Sequence, residues 1–326
     1  MVNIAQIGVG YWGPNLLRNL VANKKCKVST VVDQSHDRRE YVRGLYPTIK
    51  VTDDFEDIIR DPEIEAVVIA TPVATHFDLA MRALAAGKHI LVEKPIARSV
   101  AEVDKIGTLA ADMSRIAMVG HTFIFNSAVR YVKKLIDSEE LGDIRYIYSK
   151  RLNLGRIRSD VDSLWNLAPH DISIIQYWLG DPKPISVVRT GADYVQEEID
   201  DVVFMNIKYP NKIMANIHVS WLDPLKVRSM VVVGSQKMVV YDDIADDKIA
   251  IYDKGIDRKM VLGNSQQSPL FDHRSGDIIL PKIDFKEPLK EELDHFIDCI
   301  QNGTKCLTGI DHARKVVEIL ATANVR

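Results

Sequence analysis

The tripeptide Glu93-Lys94-Pro95 closes an apolar stretch, His89-Ile90-Leu91-Val92, that reads as a buried strand. If that strand belongs to a parallel sheet, its carboxyl end is where open α/β sheets bind ligands. A lysine held there, partly desolvated, can have its pKa lowered and exchange protons near neutral pH. The ordinary alternative is a surface lysine at a strand-to-loop junction. What precedes Lys94 argues for the first reading. Asn3-Ile4-Ala5-Gln6-Ile7 is a short apolar strand running into Gly8-Val9-Gly10-Tyr11-Trp12-Gly13, and a second strand, Lys27 to Val32, ends at Asp33, 20 residues beyond Gly13.

Strand, glycine turn, helix, strand and acid make up the full context of a dinucleotide site. Gly8 allows the tight turn, Gly10 lets a pyrophosphate approach the backbone, and Gly13 lets the helix pack on the strand. Tyr11 and Trp12 complete the turn, and Pro14 sits where a first helical turn tolerates it. The helix N-terminus then offers free N–H groups to phosphates. Asp33 is expected to accept hydrogen bonds from ribose hydroxyls and to repel a 2′-phosphate, which favours NAD over NADP. Arg38 and Arg39 follow closely enough to keep NADP open. The alternative for Asp33 is a cap on a helix from Ser35 to Leu45.

The elements that must position these residues alternate over the first 120 residues. Asp53 to Arg60 reads as a helix and Ala66 to Ala70 as a strand apolar throughout, as both faces of a parallel sheet require. Thr71-Pro72 ends that strand, Thr75 can cap a helix through Ala86, and Gly87 stops it. A helix from Ser99 to about Met113 and a strand at Ile116 to Val119 follow. The expected fold is an α/β Rossmann domain, its sheet doubly wound. Thr71-Pro72 and Lys94-Pro95 then face the nicotinamide end of a bound dinucleotide. His76 starts a helix on the same edge, which a solvated first-turn histidine explains equally well.

After Gly120 the pattern changes. Ser127 to Asp137 is helical, and candidate strands follow at 144–153, 185–190, 202–209, 213–219, 227–233, 238–242 and 249–252. With no long helices among the later ones, they should pair antiparallel in an open sheet with one face on a core. Glu287 to Gln301 and Asp311 to Asn324 are amphipathic closing helices. The division is a domain of residues 1–120 for the dinucleotide and an α+β domain of residues 121–326 for substrate and oligomerisation. Arg151, Arg156 and Arg158, with Asn153 among them, suggest an anion site, because arginine forks suit phosphates and carboxylates. Their alternative is a solvated face or ion pairs with nearby acids. Arg274-Ser275-Gly276-Asp277 is a candidate polar loop at the substrate, and the acids at 242, 243, 246 and 247 read as a hairpin turn.

The chain resembles the Gfo/Idh/MocA family of oxidoreductases. The resemblance rests on Gly8 to Gly13, on Thr71-Pro72 with His76, and on Gly87-Lys88-His89 leading into Glu93-Lys94-Pro95. It continues through Leu167-Ala168-Pro169-His170-Asp171, Glu287-Pro288-Leu289 and His295-Phe296-Ile297. It implies a Rossmann domain followed by an open, mainly antiparallel sheet domain, and hydride transfer between NAD(P) and a sugar or polyol carbon. It also implies that Lys94 and His170 act at the reacting hydroxyl and that the outer sheet face joins subunits into a dimer or tetramer. Family members usually carry an aspartate four residues before this histidine; here that position is Asn166. An amide cannot accept a proton, yet it can position a substrate hydroxyl.

Composition narrows the classes further. A chain of 326 residues with 46% apolar and 27% charged residues is an ordinary globular protein of two domains. A net charge of −3 gives no broad field for nucleic acid or an anionic membrane. No apolar run reaches about 18 residues, no leader is expected before the first strand, and Cys26, Cys299 and Cys306 follow no familiar metal or disulfide spacing. The expectations are therefore a cytoplasmic enzyme without a metal, acting on a small, anionic sugar, with a nucleotide-linked sugar favoured; the alternatives are a free sugar or inositol dehydrogenase and a non-catalytic, NAD-binding sugar sensor on the same fold.

Overall fold

The structure, a computed structural model, describes residues 1–261 and 268–323, with only the backbone of 258–261 and 268–270. Its elements, in order, begin with β1 (Val2–Ile7), α1 (Gly13–Ala22), β2 (Cys26–Val32), α2 (His36–Leu45), β3 (Lys50–Thr52), α3 (Glu56–Ile59), β4 (Ala66–Ile69), α4 (His76–Ala85), β5 (His89–Glu93), α5 (Val100–Asp112) and β6 (Ala117–Gly120). They continue with α6 (Ser127–Asp137), β7 (Ile144–Leu154), α7 (Ser163–Leu179), β8 (Ser186–Ala192), β9 (Val202–Lys208), β10 (Met214–Ser220), β11 (Leu222–Gly234) and β12 (Met238–Asp242). β13 (Ile249–Val261), β14 (Ser268–Ile279), α8 (Pro288–Asn302) and α9 (Ile310–Ala323) complete the described chain. The expected end of the last helix, Asn324, lies outside the described residues.

The first unit comprises Met1–Phe125 and Lys286–Ala321. Its sheet is wholly parallel, in the order β3-β2-β1-β4-β5-β6, the doubly wound arrangement expected of the alternating pattern. Ala66 to Ile69 and Ile90 to Val92 are buried because helices cover both sheet faces. Each of the valine, isoleucine and leucine side chains among them contributes about 1.5–3 kcal/mol on full burial. α8 and α9 belong with this unit, not with the second one, to which the division at residue 121 assigns them. Arg18 and Asn19 of α1 donate to Glu287, Asn23 donates to Asp294, and Met118 of β6 bridges Gly309. Leu289, Leu293, Phe296 and Ile297 give α8 the apolar stripe that this packing buries.

The second unit, Asn126–Phe285 with the chain from Thr322, carries an eight-stranded sheet. Its order is β14-β13-β12-β11-β7-β10-β9-β8, antiparallel except that β7 and β10 run parallel. β9 shows why one face is covered: Val203, Met205 and Ile207 are buried while Phe204, Asn206 and Lys208 are exposed. α6 and α7 pack together in this unit, and the Trp178 indole of α7 donates to the Val129 carbonyl of α6. Two expectations change here. The strand begun at Ile249 runs on to Val261 and pairs with β14, so Arg274-Ser275-Gly276-Asp277 lies in a strand rather than a substrate loop. Arg274 is also committed to Asp253 and Asp257. The acids at 242–247 do form the β12–β13 turn, closed by Asp242 accepting from Ile244 and Ala245. No helix among the described residues is long and apolar enough to cross a membrane.

Candidate active site

The glycine turn joins β1 to α1. Gly8 has φ +90°, and a Cβ there would lie 2.5 Å from the Ala70 carbonyl oxygen. A Cβ on Gly13 would lie 2.3 Å from the Gly8 oxygen, so neither position accepts a side chain without backbone movement. Gly10 differs: nothing in the protein lies within 4 Å of where its Cβ would be. Its lack of a side chain leaves a cradle open toward a ligand. Gln6, a polar residue inside an otherwise apolar strand, is fully buried and donates to both the Gly8 and Gly13 carbonyls at 2.9 Å. The amide interrupting Ile4-Ala5-Gln6-Ile7 was the sequence signal for this stitch.

Asp33 closes the same cradle. Its Oδ2 accepts from Val9 N–H at 2.7 Å and its Oδ1 from Ser35 N–H at 2.8 Å. A carboxylate has about four acceptor sites, so lone pairs remain for ribose hydroxyls. The helix cap is Ser35, whose hydroxyl accepts from Arg38 N–H, so the capping alternative for Asp33 does not hold. Arg39 is held by the Asp33 and Gln34 carbonyls and by Asp53. α1 has no side-chain cap and no acid in its first turn. Its N-terminal N–H groups and dipole thus suit a phosphate. Open cradle, acceptor and uncapped helix together fit a dinucleotide.

At the end of β5, Glu93 and Lys94 are half-buried and the Lys94–Pro95 peptide bond is cis. Ser99 caps α5 and Glu102 accepts from Arg98 N–H, which pins the segment leaving Lys94. The Glu93 carboxyl lies against Gly120, where a Cβ would be 3.1 Å from it. Burial pushes the Glu93 pKa up from 4.5 to about 7, against the pull of the Lys94 charge and of the Lys94 backbone N–H that it accepts.

Three neighbours were not anticipated. Glu292 of α8 is fully buried and accepts from the Thr122 hydroxyl at 2.8 Å. Burial first, then the nearby Glu93 charge, holds its carboxyl well above the usual range. His121 is buried edge-on to His312, with ring centroids 5.4 Å apart. Burial, then His312 and Lys94, keeps its imidazole well below the ordinary pKa, hence neutral. The signal for Glu292 was present: it sits three residues after Leu289 and four before Phe296, on the apolar stripe of its helix. His121 likewise follows directly on a wholly buried strand.

His76 is not the solvated histidine that its place in the sequence allowed. It is buried, its ring nitrogens 2.8 Å from the Pro95 and Thr71 carbonyl oxygens. It therefore braces the Thr71-Pro72 turn against the Lys94-Pro95 turn rather than presenting a free ring. Burial lowers its pKa more than the two carbonyls raise it. Thr75 does not cap α4 through its side chain; its hydroxyl turns back to Thr71 and the Pro72 carbonyl.

In the second unit, His170 falls in the middle of α7 rather than at its start, because Asp162 caps the helix by accepting from Trp165 N–H. Asn166 and His170, one turn apart, are both half-buried on one side of α7. Pro169, inside the helix, cannot donate to the Trp165 carbonyl. Asp171 is buried and accepts from Arg151 Nε at 2.7 Å and Nη2 at 3.4 Å. Arg151 is therefore drawn into a buried ion pair, and Asp171 keeps it charged although burial opposes this. Arg158 forks onto Asp160. Asn153 is half-buried at the end of β7, with its amide close over Gly155, and Arg156 is exposed. The arginine cluster is thus divided between an interior pair and a surface loop.

Comparison with known proteins supports the same architecture. The family described as an oxidoreductase family with an NAD-binding Rossmann fold matches residues 2–121, and the GFO/IDH/MocA C-terminal domain matches residues 129–240. An uncharacterized oxidoreductase of Streptococcus pneumoniae is 25% identical over 65% of this chain and 60% of its own length. The scyllo-inositol 2-dehydrogenase (NAD(+)) of Bacillus subtilis is 27% identical over 100% of this chain and 94% of its own. The chain spans only 51–60% of the length of the first curated relatives that it matches. A putative oxidoreductase of Magnetospirillum magnetotacticum superposes with TM-score 0.84 at 25% identity over 99% of both chains. A UDP-N-acetylglucosamine 3-dehydrogenase of Acidithiobacillus ferrooxidans shares the fold with TM-score 0.81 at 22% identity over 99% of this chain and 96% of that one. With both of its domains matched in order, the chain belongs to the Gfo/Idh/MocA family of oxidoreductases.

Proposed function

We propose that this protein is an NAD-dependent dehydrogenase that interconverts a ring hydroxyl and a ketone of a sugar, with a nucleotide-linked sugar as the favoured substrate class. The supporting observation is the parallel order β1-β4-β5, in which the glycine turn leaving β1 and Lys94 leaving β5 come off the same carboxyl edge of one sheet. Bound NAD would supply the acceptor for the two electrons that leave the carbinol carbon. Gly8, Gly10, Tyr11, Trp12, Gly13 and Asp33 would hold it, with Thr71 and Pro72 lining the edge and His76 fixing their turn. Asp33 favours NAD over NADP.

Lys94 takes the hydroxyl proton and returns it in the reverse direction. Glu93, raised to about 7 by burial, is partly neutral at pH 7 and so is a weak counter-ion for its neighbour Lys94. His170 is the second catalytic side chain, and Asn166 orients the substrate hydroxyl. Asn153, Arg156 and Arg158 remain our choice for the anionic part of the substrate, with Arg151 acting through Asp171. Proton transfer of this kind contributes roughly 10²–10⁴-fold, and positioning supplies much of the remainder. The exposed face of the second sheet, where Phe204 stacks on His218 with centroids 4.1 Å apart, is the proposed oligomer contact.

A free polyol is the second reading. The full-length similarity to an inositol dehydrogenase favours it, as does the pairing of Arg151 and Arg158 with carboxylates, since a neutral substrate needs no anion clamp. The deciding experiment follows nicotinamide reduction with UDP-, dTDP- and GDP-linked sugars and with free sugars and inositols. Turnover with a nucleotide sugar is the expected result. Turnover with a free polyol alone would overturn the substrate class, and none with any of them would overturn the enzyme reading.

A further inference from the structure

α8 and the loop after it bring together three side chains that take no part in the proposed chemistry. His295 and Cys299 are four residues apart and share one face of the helix. α8 stops at Asn302, and Gly303, at φ +66°, turns the chain back on itself. Asn302 and Thr304 both donate to Asp298, which pins the returning loop. Leu307 N–H then donates to His295 Nε2 at 3.0 Å, and Thr308 bonds Val119 of β6 through its hydroxyl and its carbonyl. The result is that Cys306 is carried to Cys299 and His295. One ligand atom from each lies within 4.8 Å of the other two. Cys299 is buried, and His295 and Cys306 are half-buried, so the cluster is reachable from solvent.

We propose that His295, Cys299 and Cys306 form a binding site for a thiophilic divalent cation such as Zn²⁺, with solvent completing a tetrahedron. Zn–S bonds of about 2.3 Å and Zn–N bonds of about 2.0–2.1 Å require an S···N edge of about 3.5 Å and an S···S edge of about 3.8 Å. The Cys299 Sγ to His295 Nε2 distance is 3.5 Å, already at that edge. Cys306 lies on the loop after α8, with its sulfur within 4.8 Å of both other ligand atoms. The Leu307 N–H selects the tautomer in which Nε2 carries no proton, the form a metal requires, and binding replaces that hydrogen bond. Any proton still on a thiol is released to solvent as the metal–sulfur bonds form. Two sulfurs and an imidazole select zinc-like ions over magnesium or calcium. Loaded with metal, the site fastens the α8–α9 connection to its own helix.

The test uses the full-length reduced protein, free of air, titrated with Co²⁺ and then with Zn²⁺. The expected result is one Co²⁺ per chain, with a thiolate-to-cobalt charge-transfer band and the visible bands of a tetrahedral ion, all displaced by Zn²⁺. Zn²⁺ should also raise the melting temperature. Cys299→Ser and Cys306→Ser should each abolish the charge-transfer band of a bound pair, and His295→Gln should weaken binding at least tenfold, while all three variants melt like the metal-free wild type. A wild type that shows no thiolate band overturns the site. A band unchanged by Cys306→Ser does the same, because the sulfur ligands would then lie elsewhere. A reduced pair that closes to a disulfide in air yet takes up no metal without air also overturns it.

Discussion

At the carboxyl end of β5, the half-buried Glu93 and the fully buried Glu292 bring two carboxyls near each other, with Lys94 next to Glu93. In the second unit, Arg151 and Asp171 bury one charge of each sign in a two-point hydrogen-bonded pair. Both regions remove ionisable groups from water, and both therefore carry a desolvation cost. In the second unit each charge is met by its opposite, so the pair acts as a strut between β7 and α7. In the first unit like charges oppose each other, and the proteins's packing raises both carboxyls above their usual range. Unbalanced buried groups of this kind collect at working sites more often than at structural ones. On the proposed function, the contrast sets the groups beside Lys94 apart from the balanced pair of the second unit.

The two regions should respond in opposite directions to loss of a charge. Asp171→Asn leaves Arg151 buried with a neutral partner, and denaturant unfolding should show a loss of about 3–5 kcal/mol. Glu292→Gln removes a charge that burial already disfavours, and the same measurement should show stability at pH 8 unchanged or increased. Matching losses in both variants would erase the distinction.

Within the glycine turn, two alanine substitutions sharpen the picture of the cradle. Gly13→Ala drives a Cβ into the Gly8 carbonyl and should cost about 1–3 kcal/mol in thermal unfolding. Gly10→Ala meets nothing in the protein. It should melt normally while calorimetry shows NAD affinity reduced at least tenfold, about 1.4 kcal/mol.

The smallest expected effect is in pH dependence. Glu93 in the folded protein holds its proton to about pH 7, whereas the unfolded side chain releases it near 4.5. Between those values the folded state binds more protons, so this group's contribution is complete below about pH 4.5 and is lost as pH rises through about 7. Melting temperatures across that window should fall more steeply for the wild type than for Glu93→Gln. Parallel curves would show that Glu93 is ionised at neutral pH.

Much of the first unit was legible in the sequence because its cues are local. The glycine spacing, Asp33 and uniformly apolar strands such as Ala66 to Ile69 each constrain a few adjacent residues, and the sheet order follows from right-handed crossovers. The second unit was legible as strands but not as a register, since the parallel β7–β10 pairing joins segments about 70 residues apart. What was missed depends on long-range packing. Glu292 meets Thr122 across 170 residues and Asp171 meets Arg151 across 20, and neither partner carries a mark of the other. The burial of Arg151 was not foreseen for that reason: three arginines near one another in sequence resemble one anion clamp, and nothing local marks the one that pairs with Asp171 inside the core.

The central claim is that Lys94 moves the proton of the reacting hydroxyl. Its most direct test is the kcat of Lys94→Ala with the sugar that the wild type oxidises, with melting temperature and NAD affinity measured on the same preparation. A fall in kcat of roughly 10²–10⁴-fold with folding and NAD binding retained is the predicted result. Near-normal turnover in that variant would contradict the account.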